Sequence, residues 1–259
     1  MPIIGKVDSL WRYPVKSMRG EEMEELFAGY AGVYGDRLFA FTSSAAPAGF
    51  PYFTGRDQRQ MIRYRPRFRE PEKATRPINL READENGAAP LSASPEELMI
   101  DVETPDGDVF AINDPRLRDR LRADQQKELT LIRSERAITD CRPLSLFSIQ
   151  TCQQLRDEID TPVDKRRFRA NVYLDLPGVK AFDEDALIGR SLRLGSKVVV
   201  SLIQRDSRCM MVTLDPDSAD KAPAVLKTIA QNHDGFAGLY AAVVIEGMIR
   251  KNDPVELLD

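Results

Sequence analysis

Short runs of apolar or alternating residues, each closed by Gly, Pro, Asp or Ser, set the rhythm of this chain. Residues 3–13, 37–43, 98–102 and 108–112 predict strands on that pattern, as do 129–133, 171–176, 191–194, 198–203 and 241–250. The unit Thr104-Pro105-Asp106-Gly107 predicts a hairpin turn between two of them, because glycine supplies positive φ without a steric penalty. Helical spacing is rarer. Residues 148–159 open on a Ser cap and place Ile149, Cys152, Leu155 and Ile159 on one face. Residues 115–123 and 223–232 each carry Pro in the first turn, where its missing N–H is no loss. Residues 70–97, rich in Pro, Ala, Glu, Asn and Ser, have little apolar period and predict a long surface excursion. A polar cluster at 124–128 marks a boundary. The sum is a mainly β fold with a few helices, of barrel or sandwich type.

Composition narrows the function classes. A chain of 259 residues is long enough for two ordinary domains. Its 37 Lys and Arg against 41 Asp and Glu give a formal net charge of −4, which supplies no electrostatic ground for nucleic acid or an acidic membrane. No uncharged apolar stretch has bilayer-spanning length, and residues 1–8 lack a basic flank followed by an apolar run. The expectation is a soluble cytoplasmic protein. Three cysteines without CxxC spacing argue against a disulfide framework or a structural zinc site. No GxGxxG or GxxxxGK[ST] motif is present.

Two motifs carry candidate chemistry. In Arg-Asp-Ser-Arg-Cys-Met-Met-Val-Thr-Leu-Asp-Pro-Asp-Ser, residues 205–218, Cys209 stands between Arg208 and an Asp-Pro turn. A guanidinium biases a thiol toward thiolate, the form that ligates a soft metal, although a lone cysteine at a strand end is most simply a small buried apolar residue. In Trp-Arg-Tyr-Pro-Val-Lys-Ser-Met-Arg-Gly, residues 11–20, Lys16 and Ser17 sit in a turn after a strand, a pairing that suits phosphate. Cys141 reads as part of a structural turn, Cys152 as core, and His233 as a solvated loop residue.

Together the two motifs resemble the MOSC family, with a Tyr-Pro-Val-Lys-Ser near one end and Arg-Cys followed by Thr-x-Asp-Pro near the other. Gly35-Asp36-Arg37, Thr54-Gly55-Arg56, Phe168-Arg169-Ala170-Asn171, Asp183-Glu184-Asp185 with Gly189, and Asp253-Pro254-Val255 are similar to further family stretches in the same order. The resemblance implies an N-terminal β-barrel domain over residues 1–125 and a MOSC β-barrel domain over 126–259. It also implies molybdenum cofactor, with Cys209 as the protein's ligand to the metal and the catalytic position. Lys16, Ser17, Arg56, Arg169, Asn171 and Arg208 match positions that hold the cofactor. Binding of pyridoxal phosphate is a further property that the resemblance admits.

The implied activity is that of a molybdenum-dependent oxidoreductase, similar to the amidoxime-reducing components, that reduces N-oxygenated small molecules. Residues up to Asp259 include no ferredoxin-like extension, so the expected electron source is a separate ferredoxin-like or cytochrome b5-like protein. The alternative is a cofactor carrier, or a sulfur-transfer module holding a persulfide on Cys209. Asp206 and Ser207 stand where many relatives carry an earlier cysteine, Ala170 replaces a usual proline, and Met210 and Met211 replace an aliphatic pair.

Overall fold

The computed structural model describes residues 2–123, 126–159 and 162–258, and these are mostly strand, with four α-helices among them. The helices are α1 (Leu80–Asn86), α2 (Pro115–Arg122), α3 (Ile149–Ile159) and α4 (Pro223–Asn232). The chain divides into two compact units. One gathers Met1–Arg12, Glu21–Val33 and Thr139–Asp259; the other gathers Tyr13–Gly20 and Tyr34–Ile138. Of the polar cluster expected to mark a boundary, Asp124 and Gln125 lie outside the described residues.

The first unit is built on a closed barrel of seven strands. Val172–Asp175 runs parallel to Leu144–Ser148, which pairs antiparallel with Phe236–Ile245. The ring continues antiparallel through Val198–Ser207, Ser191–Leu194 and Pro254–Leu258 to Ile3–Arg12. Ile3–Arg12 then pairs with Val172–Asp175, Leu10 facing Val172, and closes the ring. Closure satisfies the backbone of strands that would otherwise present edges. Alternation fills the interior: Val198, Val200 and Leu202 point inward with Leu192, Leu194, Leu146, Leu174 and Val7. Each such side chain contributes about 1.5–3 kcal/mol when fully buried.

A second apolar cluster lies under α3 and α4, where Cys152, Leu155, Val225 and Ile229 meet Phe147, Tyr173 and Ala237. Phe168 and Val212 belong to it, and they come from two 3-10 turns, Lys165–Phe168 and Met210–Thr213. The loops that follow the expected chemistry are therefore pinned to the core by apolar side chains of their own.

The second unit has a separate core around Val15, Met18, Phe41, Phe53, Met61, Val102 and Leu121. Two three-stranded sheets surround it: Leu129–Arg133 with Phe39–Ser43 and Tyr52–Phe53, and Arg65–Phe68 with Ile100–Glu103 and Val109–Ala111. The expected hairpin is present, with Gly107 at φ 91° and Thr104 N–H bonded to Asp108 O at 2.8 Å.

The mainly β reading with a few helices holds, and so do several element bounds. Ser148 Oγ accepts from Gln150 N–H at 3.1 Å, as its capping position predicts. Three expectations change. The single run 241–250 is two strands, Phe236–Ile245 and Gly247–Arg250, broken at Glu246, and the second pairs with Glu25–Gly29 instead of staying in the barrel. The 198–203 strand continues to Ser207 through register shifts that accommodate its polar end. The 70–97 excursion contains α1 and is anchored by buried Ala74 and Ala93.

Candidate functional site

Cys209 precedes the Met210–Thr213 turn and caps it with its carbonyl, which accepts from Val212 N–H at 3.1 Å. Its side chain makes no capping bond and is half-buried. The turn is braced from three sides. Thr213 Oγ1 donates to Met210 O at 2.7 Å. Arg167, 6% exposed, donates to Thr213 O and to the Asp215 carboxylate, each at 2.9 Å. Asp215 also accepts from Asp217 and Ser218 N–H at 3.0 Å, which shapes the Asp-Pro turn.

Arg208 does not reach outward. Its Nε donates to Ala237 O at 2.7 Å and its Nη1 to Phe168 O at 3.0 Å. Nη2 lies 2.9 Å from Asp206 Oδ2, an ion pair by distance whose angles fall outside hydrogen-bond geometry. Asp206 is buried and also accepts from Ser145 Oγ at 3.1 Å. Burial pushes its carboxyl above the usual range, against the pull of Arg208 and the hydroxyl. Asp206 thus has a structural task, to anchor the arginine that fixes the Cys209 loop. Gly238, at φ 82°, makes room for it: a Cβ there would stand 2.7 Å from Leu146 O and 3.1 Å from Arg208 Nη2.

The segment before Val172–Asp175 is drawn to the same place. Arg166 pairs with Asp164 at 2.6 Å and with Asp217 at 2.5 Å, so the 3-10 turn Lys165–Phe168 is tied to the chain on both sides of Cys209, by Arg208 before it and by Arg166 and Arg167 to the stretch after it. Arg169 ends that turn in the left-handed region at φ 54° and ψ 34°. Asn171 is fully buried; its Nδ2 donates to Trp11 O at 3.2 Å while Oδ1 has no protein partner. Trp11 Nε1 is likewise buried without a partner.

Lys16, Ser17 and Arg56 belong to the other unit. Lys16 is buried, and its Nζ donates to Ile138 O at 3.0 Å while lying 4.8 Å from the Tyr52 ring centroid and 5.8 Å from that of Phe50. Arg56 is exposed and lies 4.7 Å from the same Phe50 centroid. Ser17 adopts φ 65°, a left-handed conformation that a non-glycine residue holds only where its surroundings enforce it. The expected residues therefore fall in two sets: Lys16 and Arg56 around Phe50, and Arg169, Arg208 and Cys209 on mutually braced turns.

Sequence reasoning overlooked Arg167 and the Phe50–Tyr52 pair. Arg167 is one of three arginines in Lys-Arg-Arg-Phe-Arg, and only burial sets it apart. The aromatics stand at i and i+2 beside a strand, a spacing that places them on one face. Cys152 is core as expected, its thiol pushed up to about 11 by burial. Cys141 is exposed. His233 corrects its expectation: it stacks on Phe182 with centroids 3.4 Å apart and meets Glu158 at 2.9 Å, so it closes α4 against neighbours instead of standing in solvent. Among the described residues, no group of three or more His, Cys, Asp or Glu side chains could hold a metal ion. A metal bound through Cys209 would need its remaining donors from elsewhere.

Two family models match the chain, and the N-terminal match runs across segments of both units. The MOSC domain matches residues 133–256, and the MOSC N-terminal beta barrel domain matches residues 4–96. The chain belongs to the MOSC-domain proteins that carry this N-terminal domain. No curated protein matches the chain. Among solved structures, the YUAD protein from Bacillus subtilis is 15% identical, with 98% of this chain and 94% of that one covered at a TM-score of 0.49. YiiM from Geobacillus stearothermophilus is 20% identical, covering 46% of this chain and 55% of that one at a TM-score of 0.37. YiiM from Escherichia coli is 19% identical over the same 46% and 55%, at a TM-score of 0.34.

Proposed function

We propose that this chain binds molybdenum cofactor with Cys209 as its ligand to the metal, and acts as a cytoplasmic oxidoreductase on N-oxygenated small molecules with electrons from a separate donor protein. Membership of the MOSC family supports the cofactor class. The observation that carries the assignment of Cys209 is its half-buried side chain on a turn held by Arg167 and Arg208, with the sulfur left out of the capping bonds. A thiolate suits molybdenum among sulfur donors, and a rigid turn limits how far the ligand can move.

The residues present fit such a group in part. Asn171 Oδ1, two residues after Arg169, and the indole Nε1 of Trp11, whose backbone N–H bonds Asn171 O at 2.8 Å, are unspent polar atoms of the kind that ring edges use. In the barrel unit Arg169 is a cation of the type that a phosphate takes, and in the other unit Lys16, Ser17 and Arg56 are cations and a hydroxyl of that type. Arg208 is assigned a positioning task, because its guanidinium is spent on Phe168, Ala237 and Asp206. When bound, the cofactor supplies two-electron redox chemistry and oxygen-atom acceptance. No helix among the described residues is long and apolar enough to cross a membrane.

The test is metal content. Protein expressed with the cofactor pathway intact should hold molybdenum near one per chain, and Cys209→Ala should lose it while keeping its circular dichroism spectrum. Wild-type protein without molybdenum would overturn the reading. Turnover of hydroxylamine-type substrates with an artificial donor separates an enzyme from a carrier, and added sulfur on Cys209 by mass spectrometry would mark a persulfide carrier.

A further inference from the structure

Beside the Cys209 turn, the barrel unit carries an open groove of about 410 Å³. That is within the range of small-molecule sites. One wall is the Met210–Thr213 turn, with Met210 directly following Cys209; the other is a face of α4. Pro223, Leu226, Lys227 and Ala230 line it at i, i+3, i+4 and i+7, the spacing of one helix face. Val225 and Ile229, on the opposite face, are buried in the core and fix the helix's rotation. Lys221 lies at the start of this wall and is held by backbone: Leu214 forms an antiparallel bridge with Lys221, and Ala222 N–H bonds Thr213 O at 2.8 Å. The groove is thus preformed, with its two walls joined at one end.

Its chemistry is mixed in a definite way. Met210, Leu226, Ala230 and Pro223 offer apolar surface, and methionine adapts its shape to irregular apolar partners. Lys221 and Lys227 are exposed at the groove, and among the described residues neither forms an ion pair. Long lysine stems cover apolar ligand surface while their ammonium groups stay in water and face an anion. A cationic or purely polar molecule would gain little here; an apolar chain bearing an acid gains from both features.

The geometry points to this groove as the binding site for an apolar chain that carries a carboxylate; with Cys209 as the metal ligand, the substrate class it implies is an N-oxygenated molecule bearing such an acidic apolar chain. The substrate part of this statement rests on the reading of Cys209 as the metal ligand; the binding part does not.

The experiment titrates isotope-labelled protein with octanoate, octylammonium and acetate, following amide shifts of residues 210–230 and binding heats, on the same preparations assayed for molybdenum. Saturable octanoate binding is expected, with no saturation by octylammonium or acetate. Lys221→Glu/Lys227→Glu, on two exposed side chains, should weaken octanoate about tenfold. Equal binding of octylammonium, or no saturable octanoate binding, overturns the proposal without any need for a variant, as does octanoate affinity unchanged by the double reversal. Octanoate binding in a protein that never holds molybdenum keeps the groove and removes the metal reading. Molybdenum without octanoate binding does the reverse.

Discussion

Arg208 and Arg56 were alike as sequence, each a cation expected to hold an anionic cofactor, yet their surroundings differ in kind. Arg208 is 7% exposed in its side chain and joins three segments of the barrel unit through Phe168 O, Ala237 O and Asp206. Arg56 is exposed, with Phe50 below its guanidinium. A buried guanidinium surrounded by carbonyls holds the fold together, while one resting on a ring at the surface keeps contact with solvent. Charge at a matching position is therefore a poor guide to its use, and burial decides.

The sharpest way to break this contrast is Arg208→Met. It leaves Asp206 buried without its counter-ion, and the loss expected in urea unfolding is about 3–5 kcal/mol. Adding Asp206→Asn should restore part of it, because the remaining group is neutral. A loss below about 1 kcal/mol would make Arg208 as dispensable as a surface charge.

Burial also sets the next effect. Glu184 is 3% exposed, accepts from Thr151 Oγ1 at 2.6 Å, and has a second carboxylate oxygen without a partner. Burial raises its value from 4.5 to about 7, with the Thr151 hydroxyl opposing. An acid with a raised folded value favours folding when protonated, so its contribution is full below about pH 4.5 and is lost as pH rises through about 7. Glu184→Gln should match wild type near pH 4 and exceed it by about 3 kcal/mol at pH 8. Thermal melts across that range check the sign, and a gain independent of pH would refute the titration. The smallest effect belongs to Arg56→Ala. Its stability should stay within about 0.5 kcal/mol of wild type, while any loss appears in cofactor retention on gel filtration.

Regular elements bounded by strong punctuation were legible in the sequence. The strands Leu129–Arg133 and Ser191–Leu194 and the helix Pro223–Asn232 fall where alternation, Gly and Pro placed them. Gly32–Val33 and Tyr52–Phe53 escaped notice because two residues carry no period. The 241–250 run misses the first residues of Phe236–Ile245, where Gly238 interrupts the apolar alternation and serves a close approach to Leu146 and Arg208. At the site, the Cys209 motif was readable because its local context is unusual. Arg167 was not: its partners Thr213 and Asp215 lie more than forty residues away, and no local pattern signals that pairing.

The strand Ile3–Arg12 closes the barrel by pairing with both Val172–Asp175 and Pro254–Leu258. During synthesis it leaves the ribosome long before either partner, by roughly 10–50 s for the last one at ordinary translation rates. Until then its apolar residues Val7 and Leu10, fully buried in the finished barrel, have no native surface to cover them. Contacts this far apart in sequence also slow folding once the chain is free. The seam of the ring is thus the step at which the nascent chain is most exposed to misassociation, and a strand made early is among the last to find its place.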